Sequence, residues 1–169
     1  MSFSMYSESV PVFTKILSNA KGWLDKAGLA AETRKFDPAV VLNARLAPDM
    51  FSFTRQIQIG TDGAKGGLAR LAGIAIPRYE DNEATIADLQ GRLEKTIAFI
   101  NTISAAQLEG SADREIVHAS QRGDRKFKGG DYLRYYVTPN FYFHMTTAYG
   151  ILRHNGIDVG KRDFLPVFE

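Results

Sequence analysis

The sequence of 169 residues contains no cysteine. This absence excludes disulfide bonds, thiolate catalysis, and zinc or iron–sulfur sites with cysteine ligands. Only three histidines are present. A metal ion would therefore depend on these imidazoles and on the carboxylates of Asp and Glu.

Long hydrophobic runs are also absent. The chain has no stretch of eighteen consecutive apolar residues, the length that a membrane-spanning helix needs. The first residues lack the basic segment and apolar run of a secretory signal. We therefore expect a cytoplasmic protein that does not bind membranes.

The chain has none of the short motifs of phosphate-loop NTPases, Rossmann dinucleotide-binding domains, HExxH metalloproteases or GxSxG hydrolases. Its formal net charge is only +2. A basic cluster at residues 122–128 falls at the tip of a predicted hairpin, so no nucleic-acid partner is expected.

What is present is ordinary globular composition, with 44% hydrophobic and 24% charged residues. A chain of this length can bury a substantial core in one unit. We expect a single domain spanning residues 1–169.

Apolar residues recur with a helical period in four segments. They predict helix one at 10–27, helix two at about 48–71, helix three from the polar cluster at 81–83 to about 103, and helix four at 139–154. Apolar residues around a Gly turn predict a two-stranded hairpin between Glu115 and Lys128.

Helix two carries glycines along one line that includes Gly60 and Gly67. Glycine costs about 1 kcal/mol relative to alanine inside a helix, so close approach of another helix is the expected compensation. Arg55, Asp62 and Lys65 turn away from this line, and they are expected to form a solvated face.

Helix four is clearly bounded, with Pro139 in its first turn and Gly156 after its end. His144 lies at the edge of its apolar face, whereas His154 points to the side. Ten residues separate the two, roughly 15 Å along the axis, so they cannot share one ion. His118, in the hairpin, is expected to be a surface or rim residue rather than a ligand.

Polar residues near His144 form the candidate site. Asn140 lies one turn before it, Thr147 is close by, and Gln56 lies on the inward face of helix two. We expect His144, Asn140 and Gln56 to meet in one cavity, with His144 as catalytic acid or base and Asn140, Gln56 and Thr147 as substrate-binding residues. The alternative is a structural histidine that bridges two helices.

The helices, the long connector at 35–49 and the hairpin resemble the DinB-like four-helix bundles. The segments that are similar to the branch called domain of unknown function 1993 are 50–56 (MFSFTRQ), 139–149 (PNFYFHMTTAY), 152–156 (LRHNG) and 160–165 (GKRDFL). The resemblance implies an all-α fold, a DinB-like four-helix bundle with a small β-hairpin between helices three and four.

In the metal-binding members of this superfamily, one His of helix two and an HxxxH pair of helix four hold a divalent ion. His144 matches the second helix-four ligand, Asn140 the first, and Gln56 is the nearest inward polar residue of helix two. Amide oxygens bind such metals more weakly than imidazole. The resemblance thus implies no strong metal site and no cofactor; if a metal such as zinc or nickel binds, His144 is its ligand.

Three functions follow from this resemblance. The first is a DinB-like protein that binds a small molecule in a polar pocket around His144 and forms a homodimer, as is common in the superfamily. The second is a divalent-metal-dependent hydrolase or transferase of the DinB-like type. The third is a structural or regulatory homodimer without a site.

Overall fold

The computed structural model describes residues 3–119 and 123–165, which are mostly helical. The longer helices are α1 (Val10–Arg34), α3 (Phe53–Ala72), α4 (Ile86–Ile100) and α7 (Thr138–His154); the shorter ones are α2 (Ala39–Leu42), α5 (Ala105–Leu108), α6 (Gly129–Tyr132) and α8 (Lys161–Phe164). Strands β1 (Glu115–His118) and β2 (Arg125–Lys128) form a small hairpin. None of the described helices has the length and apolar character needed to cross a membrane.

The hydrophobic core lies between the longer helices. Helix α3 packs against α7 and α4, while α1 packs against α4 and α7. Phe13 of α1 and Phe141 of α7 are fully buried, with ring centroids 4.5 Å apart. Trp23 is also buried, and its indole nitrogen donates to the carbonyl of Asp163, 2.8 Å away. The expected helical fold with a small hairpin is confirmed at this level.

Helix α1 is longer than the sequence pattern predicts, because it continues past Gly28 to Arg34. Ala31 extends its buried stripe by one further turn. A Cβ atom at Gly28 would lie 3.5 Å from Cδ1 of Ile86, in ordinary contact. Gly28 is therefore a packing position against the start of α4, and the helix ends instead at Lys35, which has φ of 55°.

The predicted start of helix two at Pro48 is wrong, since α3 begins at Phe53. Ser52 has an extended backbone, with φ of −68° and ψ of 165°. The amide of Phe53 donates to the carbonyl of Ala44, 2.9 Å away. This contact with the connector, rather than a preceding turn, satisfies the first amide of the helix.

The start of helix three also differs from the prediction, because α4 begins at Ile86 rather than at residues 81–83. Thr85 and Asp88 form a capping box: the amide of Asp88 donates to Thr85 Oγ1 (3.1 Å), and the amide of Thr85 donates to Asp88 Oδ2 (2.9 Å). The earlier acidic cluster makes ion pairs with Arg92 instead.

The charged face of α3 is only partly solvated, contrary to expectation, since the side chains of Arg55 and Asp62 are 41% and 40% exposed but Lys65 is buried. Lys65 is 4% exposed, and its ammonium lies 2.5 Å from Asp62 Oδ1. Arg55 pairs with Asp81 from the segment that joins α3 to α4. This segment, residues 73–85, contributes the partners that the helix itself lacks.

Arg92 of α4 is the centre of this arrangement and is fully buried. Its Nη1 lies 2.9 Å from Glu83 Oε1, its Nη2 lies 2.8 Å from Asp62 Oδ1, and its Nε donates to Thr61 Oγ1 at 2.7 Å. A buried guanidinium needs such a set of acceptors to offset its desolvation.

The hairpin pairs Glu115 with Lys128 and His118 with Arg125 in antiparallel register. Part of its predicted tip, residues 120–122, lies outside the described residues. After β2 the chain runs through α6, then a π-helical turn (Leu133–Val137), and directly into α7. A Cβ atom at Gly129 would lie 1.9 Å from the carbonyl oxygen of Ser111, so only glycine permits this close approach.

Candidate functional site

The imidazole of His144 is bonded to Gln56 across the interface of α7 and α3. Its Nδ1 lies 2.7 Å from Gln56 Oε1, and Gln56 Nε2 donates to the carbonyl of Phe51, 3.2 Å away. Because the amide nitrogen of Gln56 is a donor to Phe51, its oxygen accepts from His144. Neutral His144 therefore carries its proton on Nδ1 and a lone pair on Nε2.

His144 is 7% exposed. Burial lowers its pKa below the ordinary value of 6.5, and the nearby charge of Arg55 lowers the pKa further. Within the described part of the chain, Nε2 has no hydrogen-bond partner. The ring is thus a neutral base at physiological pH, with one nitrogen open to an incoming donor.

Asn140 does not join this pair. Helices α3 and α7 are antiparallel, since Gly60 faces Met145 whereas Gly67 faces Val137. One turn before His144, Asn140 therefore lies opposite Gly63, where a Cβ atom would be 3.1 Å from Asn140 Nδ2.

The expected cluster of three polar residues is consequently split. Gln56 and His144 meet, but among residues 3–119 and 123–165 no hydrogen bond links Asn140 to either. Thr147 is buried, and its hydroxyl donates to the carbonyl of Phe143, 2.7 Å away. The hydroxyl of Thr147 is therefore satisfied within its own helix.

Asn140 instead lines a cavity of about 230 Å³ between α3, the hairpin and the turns before α7. Its polar lining consists of Asp62, Arg70, His118, Tyr132, Tyr136 and Asn140. Such a concave space with a few polar groups is the usual form of a small-molecule site.

His118 lies at this cavity between two tyrosines. Its Nδ1 is 3.2 Å from the hydroxyl of Tyr132, and its Nε2 is 3.0 Å from the hydroxyl of Tyr136. The Nη1 of Arg70 donates to the Tyr132 oxygen at 3.4 Å. Four polar side chains are thus connected in the order Arg70, Tyr132, His118, Tyr136.

One assignment of hydrogens satisfies this chain. Tyr132 is 1% exposed and already accepts from Arg70, so its own proton needs the acceptor that His118 Nδ1 offers. His118 Nε2–H then donates to the Tyr136 oxygen. The hydroxyl proton of Tyr136 is left for a molecule in the cavity.

Both rings of the central contact are uncharged at neutral pH. Burial lowers the pKa of His118, and the charges of Arg70 and Arg125 lower it further. Burial likewise raises the pKa of Tyr132, although Arg70 opposes this effect. The only sign of this arrangement in the sequence is the spacing of Tyr132 and Tyr136, which puts them on one helix face.

The donor set does not fit a divalent metal ion. No group of three His, Asp or Glu side chains suited to a metal occurs in residues 3–119 and 123–165. At His144, the nearest oxygen belongs to Gln56 and already accepts the imidazole proton. His144, Gln56 and Asn140 therefore do not converge on one point as the ligands of a metal centre do.

Comparison with known proteins agrees with the architecture. The family model of a domain of unknown function, DUF1993, matches residues 5–165. The crystal structure of a DinB family member protein from Shewanella denitrificans is 40% identical, with a TM-score of 0.91, and the match covers 97% of this chain and 93% of that chain. No curated protein matches the sequence. The chain thus belongs to the DUF1993 family and is DinB-like.

Proposed function

We propose that the protein binds a small polar molecule in the cavity lined by Asn140, His118 and Tyr136. The observation that carries this proposal is the side-chain amide of Asn140. It is half-buried and lines the cavity, yet it has no hydrogen-bond partner in the described part of the chain. Half-buried amides without protein partners are suited to hold a ligand.

In this proposal Gln56 and His144 join α3 to α7 one turn from the cavity. A catalytic part for His144 is the second candidate, and the open lone pair of Nε2 favours it. Such a base would accept a proton from a bound molecule near neutral pH.

We also infer that α1, α3, α4 and α7 form the four-helix bundle of the DinB-like fold, supported by the likeness to the Shewanella protein.

A homodimer and a weak or absent metal site remain predictions. Light scattering during size-exclusion chromatography tests the first, and calorimetric titration of EDTA-treated protein with zinc or nickel tests the second. Sub-micromolar metal affinity that His144→Ala abolishes would favour the hydrolase or transferase.

The binding proposal is tested by screening small polar fragments with protein-observed NMR. We expect fragments to shift the amide signals of residues around the cavity, including Gly63 and Tyr136. Asn140→Leu should weaken these fragments about tenfold, as expected for one lost hydrogen bond in a buried site. The matched control is Thr146→Leu, an exposed position on the same helix. Fragments that bind only elsewhere, or equally to both variants, would refute the proposal.

A further inference from the structure

Arg70 contributes an unpaired positive charge to the cavity. Its Nη1 donates to the carbonyl of Gly66 at 3.0 Å and to the hydroxyl of Tyr132 at 3.4 Å. No carboxylate pairs with it within the described ranges, and its Nε and Nη2 have no protein partner there. Two nitrogens of the guanidinium, which carry three N–H donors, thus remain available.

Asp62, the acidic residue of the lining, does not neutralise this charge. Its Oδ1 lies 2.5 Å from the ammonium of Lys65 and 2.8 Å from Nη2 of Arg92. One carboxylate therefore faces two cations outside the cavity. The charge that Arg70 presents inside is left without a counterion from the lining.

Two neutral donors supplement the guanidinium. The chain of hydrogen bonds through His118 leaves the hydroxyl proton of Tyr136 for the cavity. Asn140 offers its amide near Gly63, seven residues before Arg70 on α3 and hence roughly 10 Å from it along the axis. The cavity thus has a cationic end and an amide end.

From these donors we infer that the ligand is a small molecule with an anionic oxygen group, a carboxylate or a phosphate, bound by Arg70 and Tyr136. This inference rests on the proposed binding function of the cavity. Guanidinium groups recognise both anions through paired hydrogen bonds. At about 230 Å³, the space is smaller than the roughly 300–1,000 Å³ of sites for drug-sized ligands, so the molecule is compact.

Three probes of nearly equal shape test the charge: benzoate, benzamide and benzamidine. Amide shifts in NMR titrations at low salt report the site and the affinity. We expect benzoate to bind in the cavity roughly tenfold more tightly than benzamide, since charge-assisted hydrogen bonds are about twice as strong as neutral ones. Benzamidine should bind most weakly. Phenyl phosphate, titrated in parallel, shows which of the two anions is preferred.

Arg70→Gln should reduce benzoate affinity to that of benzamide and leave benzamide unchanged, whereas Arg70→Lys should retain part of the preference. The control is Arg134→Gln, an exposed arginine of the adjoining π-helical turn. An equal loss in Arg134→Gln would show general attraction to a basic surface and overturn the inference.

The outcomes also separate this inference from the proposed function. Benzamide binding in the cavity as tightly as benzoate would overturn the anionic ligand and support the binding site. If none of the probes shifts the cavity residues, the anionic ligand is refuted, and the fragment screen with Asn140→Leu then decides the proposed function independently. A variant that fails to fold is recognised by its NMR spectrum, and Arg70→Lys then serves in place of Arg70→Gln.

Discussion

His144 and Gln56 form a hydrogen bond between two buried side chains. The imidazole has its acceptor in Gln56, and the amide of Gln56 has its own in the backbone of Phe51. Loss of one partner leaves a buried donor unpaired, which costs more than the bond itself contributes. Loss of both partners removes that penalty.

We therefore predict that Gln56→Leu lowers the free energy of unfolding by about 1–3 kcal/mol. The double variant Gln56→Leu with His144→Leu should regain much of this loss, because no unpaired polar group remains. Urea unfolding of the wild type, both single variants and the double variant completes the cycle. Strictly additive losses would contradict a coupled pair.

A second prediction concerns pH. The pKa values of His118 and His144 are lowered in the fold, below the ordinary 6.5. Between pH 6.5 and the lowered pKa values of the folded protein, these histidines bind more protons in the unfolded chain than in the fold. Acidification in this range therefore favours unfolding. The stability that the two neutral histidines contribute is fully present above about pH 6.5, and it decreases as the pH falls through this window.

Urea unfolding at pH 7.5 and pH 5.5 measures this effect. The groups around His118 are Arg70, Arg125, Tyr132 and Tyr136, and the cation beside His144 is Arg55. Replacing both histidines with Gln should reduce the loss between the two pH values. An unchanged loss would mean that other groups titrate in this range.

At the scale of elements, the segment 73–85 has no regular secondary structure but is tied closely to α3 and α4. The hydroxyl of Tyr79 donates to the carbonyl of Lys95 at 3.1 Å, and the ammonium of Lys65 lies 3.9 Å from the Tyr79 ring centroid. Burial alone would raise the pKa of Glu83, but hydrogen bonds from Arg92 and Gln58 lower it overall. The segment thus supplies anions to a buried guanidinium.

Arg92→Met should accordingly lower the free energy of unfolding by about 3–5 kcal/mol, because the buried Glu83 loses its close cation and keeps only Lys95, whose Nζ lies 3.7 Å from Oε1. Lys21→Met is the control, since it removes an exposed ion pair with Glu94 and should cost about 1 kcal/mol or less. Urea unfolding compares the two. Similar losses in both variants would show that the buried pair contributes little.

Close contact between α3 and the π-helical turn that leads into α7 gives a fourth prediction. A Cβ atom at Gly67 would lie 2.5 Å from Cγ1 of Val137, whereas one at Gly91 would contact nothing within 4 Å. Gly67→Ala should lower the melting temperature by roughly 2–4 °C per kcal/mol of overpacking. Gly91→Ala should raise it, since alanine favours the helix by about 1 kcal/mol. Equal effects of the two substitutions would contradict this packing.

Much of the element pattern could be read from the sequence, since α7 lies within a residue of its predicted bounds and its apolar face is buried as expected. The start of α4 could not be read from the sequence, because residues 81–83 and Thr85 are equally suitable as N-cap residues. Only the position of Arg92, which attracts the acidic cluster, decides between them. Helical periodicity carries no information about such a contact.

For the molecule as a whole, the pairing of helices decides which residues share a site. Helical periodicity gave the inward faces of Gln56, Asn140 and His144, but not their level along the axis. The antiparallel packing of α3 and α7 brings Gln56 to His144 and Asn140 to Gly63. His118 was missed as a site residue because its partners come from another element, after the hairpin.

Because of the π-helical turn at Leu133–Val137, the lining of the cavity depends on the number of residues in that turn. Such a turn holds one residue more than the α-helical turn it replaces. Removing one residue there would rotate everything before it by about 100° relative to α7 and would carry Tyr132 away from His118. An insertion or deletion within these five residues would therefore move the lining of the cavity more than a substitution, which leaves that rotation intact.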